Sequence, residues 1–114
     1  MGRGKVILYP QVQKKLEDFG HRIKLARLRR KLTIEMVAER AKISRFSVRE
    51  VEKGSPSVAI GIYVNVLMAI GMVKELDNFL ADDPLGRMLQ DDELLKYQRK
   101  GTGSIFGYSS KDFK

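Results

Sequence analysis

Between Gln11 and Leu28 apolar side chains return at helical spacing: Leu16, Phe19, Ile23, Ala26 and Leu28. The pattern predicts a helix starting near Gln11, just after Pro10. Gly20 falls inside it, and with no proline beside it the helix can continue at some cost in propensity. The run RIKLARLRRK sets Arg22, Lys24, Arg27, Arg29, Arg30 and Lys31 around the apolar stripe. Ahead of this helix, Val6, Ile7, Leu8 and Tyr9 form a short apolar run stopped by Pro10, which predicts a strand or a buried arm.

The pattern then shortens. Thr33 is a good N-cap, and Glu35 just after it suits the positive end of a helix over Ile34 to Ala41, with Val37, Ala38 and Ala41 inward. Three residues, Lys42-Ile43-Ser44, follow. Ser44 caps a further helix that runs to about Lys53 and stops at Gly54, with Val48 and Val51 inward. Two short helices so closely joined predict a helix-turn-helix. After a turn at Gly54-Ser55-Pro56-Ser57, the stretch from Ala59 to Ile70 is apolar on nearly every side and requires burial, in the core or against a partner. Gly71 ends it. A short helix over Glu75 to Ala81, with Leu76, Phe79 and Leu80 inward, and another over Leu85 to Tyr97 complete the reading. The expected fold is all-α, divided into an N-terminal arm (1–10), a five-helix domain (11–81), and an acidic segment with a C-terminal tail (82–114).

Charge changes this picture by its placement. Residues 1–53 carry 15 Lys or Arg against 6 Asp or Glu, a balance of +9, whereas residues 54–114 carry 7 against 8, a balance of −1. The excess in the N-terminal half suggests a polyanionic partner there, nucleic acid first; the plainer alternative is solubility. The chain has 114 residues and no cysteine, which suits one domain with a modest core and excludes disulfides and thiolate metal sites. No apolar run reaches the ~20 residues of a membrane span, so a soluble protein is expected, and the lack of cysteine is compatible with the cytoplasm. His21 has no catalytic partner in view and reads as a surface histidine. Asp82, Asp83, Asp91, Asp92 and Glu93 lack a calcium-loop spacing, and GRGK at residues 2–5 lacks the full phosphate-loop pattern. No enzyme, metal site or cofactor is expected.

The stretch from Ile23 to Gly71 resembles the lambda repressor and Cro-like (XRE-type) helix-turn-helix family. LARLRRKLTIEMVAERAKIS matches its first two helices, SRFSVREVEKG its recognition helix and PSVAIGIYVNVLMAIG the helix that follows. The chain departs from the family pattern at Ile34, where Gln is frequent, and at Lys42, where Gly is frequent in the turn. A left-handed Lys42 would cost roughly 1 kcal/mol. RIKLARLRRKLTIEMVAERAKISR, EKGSPSV, VLMAIGM and DPLGRMLQD look, more narrowly, like HipB-like antitoxins encoded beside HipA-like kinases. The resemblance implies a five-helix lambda-repressor-like domain in a dimeric repressor of double-stranded DNA that regulates its own operon and also binds a HipA-like toxin.

On that reading the second helix of the motif enters the major groove by its N-terminal end. Arg45 can pair bidentately with guanine, and Phe46 can touch a thymine methyl or pack against the preceding helix or a neighbouring loop. Arg49 can reach a base or a phosphate, and Ser44 and Ser47 can hydrogen-bond phosphate. Lys42, Lys53, Thr33, Arg27 and Arg30 are candidates for the flanking backbone. Glu52 reads as a structural partner for an arginine of the first helix. The arm Val6–Tyr9 and the apolar helix, through Ile60 and Tyr63, are the expected dimer surfaces. Ile105, Phe106 and Tyr108 of the tail are candidate partner-binding anchors. A regulator with no toxin, an interaction module that chiefly neutralises one, and a non-specific basic nucleic-acid binder remain alternatives.

Overall fold

The computed structural model describes residues 6–99, and these contain six helices and no strand. They are α1 (Pro10–Arg29), α2 (Ile34–Ala41), α3 (Arg45–Lys53), α4 (Ile60–Ala69), a 3-10 helix (Val73–Asn78) and α5 (Pro84–Arg99). The all-α expectation holds. Of the strand or buried arm expected at Val6–Tyr9, no strand is formed, and Val6, Ile7 and Tyr9 are exposed; Tyr9 is extended at the N-cap position of α1, and Pro10 occupies its first turn, where the missing N–H costs nothing. The chain divides into two units, Met1–Leu76 and Asp77–Lys114.

The first unit holds the core. Val37 of α2, Val48 and Val51 of α3 and Val66 of α4 are its fully buried centre, closed by Ile23, Ala26, Ala38, Ala41, Leu67 and Ile70. α3 packs against α1, α2 and α4, and α2 against α4. Leu28, expected inward, is half exposed, and Arg27 takes the buried position instead. Tyr63 of α4 stacks on Phe19 of α1, with ring centroids 5.7 Å apart. Its hydroxyl donates to the carbonyl of Ser55 at 2.7 Å, tying α4 to the turn after α3. Burial, and secondarily the charge of Glu50, push the Tyr63 phenol up to about 12.

Four helices end in one way. The residue after the last turn is left-handed at Lys31, Lys42, Gly54 and Gly71, and the N–H of the residue beyond it reaches back five positions. These bonds are Leu32 to Arg27, Ile43 to Ala38, Ser55 to Glu50 and Met72 to Leu67, at 3.2, 3.0, 3.0 and 2.8 Å. This is the Schellman arrangement, which satisfies carbonyls the helix leaves open.

The short helix expected at Glu75–Ala81 is instead a 3-10 helix over Val73–Asn78, starting two residues earlier and ending three residues earlier, and Leu76, Phe79 and Leu80 are exposed rather than inward. In the second unit α5 begins at Pro84, where Asp83 Oδ1 accepts from the N–H of Gly86 at 3.1 Å. Leu85, Met88, Leu89 and Leu95 on this helix are exposed.

Candidate nucleic-acid interface

α2, the three residues Lys42-Ile43-Ser44 and α3 form the expected helix-turn-helix. Local chemistry fixes each end. Thr33 Oγ1 accepts the Met36 N–H at 3.0 Å and starts α2. Lys42 turns the chain with φ 61° and ψ 43°, the left-handed region that its Cβ disfavours. Ile43 then tucks against the core, and Ser44 Oγ accepts the Ser47 N–H at 3.0 Å to start α3. The hydroxyl of Ser44 donates to Ser47 Oγ at 3.1 Å, so both serines act first in the cap.

α3 is divided by its own periodicity. Val48 and Val51 lie in the core, and the other side carries Arg45, Phe46 and Arg49, all exposed. Phe46 is 67% exposed, so most of its ring is open to a partner. Lys42 and Lys53 flank this face at its two ends and are exposed as well. Lys53 leans towards Glu50 at 3.4 Å. Arg30 is exposed, with Nη1 donating to the carbonyl of Ala26 at 3.0 Å.

Arg27 does not belong to this surface. Only 6% of it is exposed, and Nε and Nη2 grip the two oxygens of Glu52 at 2.6 and 3.2 Å while Nη1 donates to the carbonyl of Leu32 at 3.0 Å. A guanidinium so enclosed cannot reach a phosphate. The expected backbone contact at Arg27 is therefore corrected, whereas Glu52 does partner an arginine of the first helix. Tyr63 needs the same correction: buried against Phe19, it offers no dimer surface. Ile60 remains exposed on α4, as do Val6, Ile7 and Tyr9 in the arm, and Leu8 is half-buried. Ile105, Phe106 and Tyr108 lie outside the described residues.

Sequence reading gave Glu35 a place at the start of α2 but not its partner. Its carboxylate accepts from Arg45 Nη1 at 2.8 Å, across the turn from α2 to α3, and both side chains are open to solvent. The two are ten positions apart, beyond any single-helix spacing. Only the three-residue turn, which brings the two helix starts together, could have signalled the pair. Among the described residues no group of His, Cys, Asp or Glu could hold a metal ion, and no helix is long and apolar enough to cross a membrane. No family model matches the chain, and no curated protein matches it either.

Proposed function

We propose that this chain is a sequence-specific DNA-binding repressor with a lambda-repressor-like domain, acting in the cytoplasm as a homodimer on a palindromic operator. The observation that carries the reading is the exposed side of α3. Two arginines and a phenylalanine stand at its N-terminal end, on a helix whose opposite side is locked into the core by Val48 and Val51. A buried-core requirement explains the valines and leaves the exposed phenylalanine without a structural task. An arginine fork and an apolar ring on one helix start suit the acceptor edge of guanine and the methyl of thymine. The +9 balance of residues 1–53 supports the same partner through phosphate attraction.

Selection from a random duplex library tests the reading. A palindromic consensus, blurred at one position per half-site in Arg45→Ala, is the expected result. Retention of every duplex alike would reduce the chain to a non-specific basic binder. Arg45→Ala is expected to cost about 1–3 kcal/mol at the selected site and to relax one position per half-site.

The partnership with a HipA-like kinase, as a HipB-like antitoxin, is also proposed and rests on the resemblance. A second reading, an interaction module, is favoured by the exposed Leu85, Met88, Leu89 and Leu95 on α5, a row that a solvated helix does not need. Co-purification of a kinase with the full chain, lost on removal of residues 101–114 while operator binding is kept, would support the antitoxin reading.

A further inference from the structure

We propose that Glu35 is a specificity-determining residue: its carboxylate braces Arg45 for base reading and denies that arginine to phosphate. The inference rests on the DNA-binding reading of α3.

Arg45 Nη1 donates to Glu35 Oε2 at 2.8 Å, with the two side chains 58% and 72% exposed. An open ion pair of this kind adds little to folding. Core packing does not require Glu35 either, because α2 is held by Val37, Ala38 and Ala41 on its other side. The pair joins the first turn of α2 to the first residue of α3, the two helix starts that the three-residue turn brings together.

A guanidinium has five N–H donors in a planar fork. The bond to Glu35 occupies Nη1, so the remaining edge of the fork is free to meet the O6 and N7 acceptors of guanine in a fixed orientation. An unbraced arginine at this place would swing to the nearest phosphate, which strengthens binding to every sequence alike. Glu35 opposes that in two ways. It holds one side of the fork, and its negative charge repels phosphate oxygens. The other exposed cations of the turn and α3, Lys42, Arg49 and Lys53, have no such acidic brace across the turn; Lys53 pairs with Glu50 on its own helix. Glu35 therefore separates the arginine that reads from the cations that attract.

The test compares the full-length protein with Glu35→Gln, which keeps size and an acceptor oxygen and removes the charge. Affinities for the selected operator and for random-sequence duplex are measured across a salt series, with thermal melts as a folding control. Glu35→Gln is expected to bind random duplex about 3- to 10-fold tighter and to steepen its salt slope by roughly one phosphate equivalent, near 0.9 in log–log form. Operator affinity is expected to change less, so the ratio of specific to random binding falls. In an Arg45→Ala background the same replacement is expected to leave that ratio unmoved, because no fork remains to be braced. A merely structural Glu35 would shift the melting temperature and leave ratio and salt slope unchanged, and that result overturns the inference alone. If the unaltered protein selects no sequence at all, the DNA-binding reading fails and Glu35 loses its role with it.

Discussion

Arg27 shows how burial decides the task of a charged side chain. A buried arginine is tolerated because Glu52 neutralises it and the Leu32 carbonyl takes another donor; among the described residues no buried side-chain polar atom lacks a partner. Arg27→Ala is expected to destabilise the fold by about 3–5 kcal/mol, since Glu52 would stay buried and unpaired. Urea unfolding measures this, and a loss under about 1 kcal/mol would mean that the pair contributes little. The position was legible in part. Counting by threes and fours from Leu16 through Ile23 leads to Ala26 and Arg27, not to Leu28, but the charge of Arg27 makes it look like its solvated neighbours. Tyr63 offers a second residue-scale test. Its phenol titrates at about 12 in the folded chain against about 10 unfolded. The neutral form is thus favoured by folding, and the stabilisation is complete below pH 10 and lost as pH rises from 10 through 12. Unfolding curves between pH 9 and 11.5 are expected to show this decline, and Tyr63→Phe is expected to flatten it.

At the scale of elements, helix interiors were legible and helix ends less so. Gly54 and Gly71 are visible stops. Lys31 and Lys42 make the same left-handed turn; at Lys42 only the resemblance, through the glycine frequent there, pointed to it, and at Lys31 nothing did. Lys42→Gly is expected to hold or raise stability by up to about 1 kcal/mol, because relief of the left-handed strain offsets the entropy of a glycine in the unfolded chain. A clear loss in the melting temperature would show that Lys42 is bound into the fold in some other way. Gly20 is the opposite case. Periodicity lets α1 run through it but gives no reason for it. The reason lies in the contact with the end of α3: a Cβ on Gly20 would stand 2.5 Å from the Val51 carbonyl oxygen and 2.6 Å from the Gly54 nitrogen. A Cβ on Gly54 would in turn strike the backbone of Leu16 and Glu17. The two glycines let α1 and α3 touch backbone to backbone, which fixes where the exposed side of α3 points. Backbone cannot rotate away as a side chain can, so Gly20→Ala is expected to cost about 1–3 kcal/mol despite the better helix propensity of alanine. Thermal unfolding checks it, and a stabilised variant would refute the close approach. The short 3-10 turn after α4 was misjudged because spacing alone put Leu76, Phe79 and Leu80 inward, whereas the described chain gives them no core to enter.

For the whole molecule the open question is what covers the apolar surface that folding leaves out. Ile7 is 95% exposed and Ile60 78% exposed, one in the arm and one at the start of an otherwise apolar α4. Both belong to the first unit, which also carries the candidate reading helix. A protein recognising a palindrome must present two such helices about 34–36 Å apart, a distance no single copy of this domain can supply. The proposed homodimer meets both needs at once: it covers apolar side chains and pairs the reading helices. Charge placed on that surface has to be desolvated when the copies meet, so Ile7→Asp and Ile60→Asp are expected to weaken the dimer without unfolding the monomer, since neither side chain contributes to the core. Light scattering at micromolar concentration is expected to give twice the chain mass for the unaltered protein and a lower, concentration-dependent mass for at least one variant. The variant that dissociates is further expected to keep its affinity for a half-site and to lose the gain from the full palindrome, because only the link between the reading helices has been cut. A monomer at every concentration for the unaltered chain, with full palindrome affinity retained in both variants, would rule out these two surfaces and the dimer together.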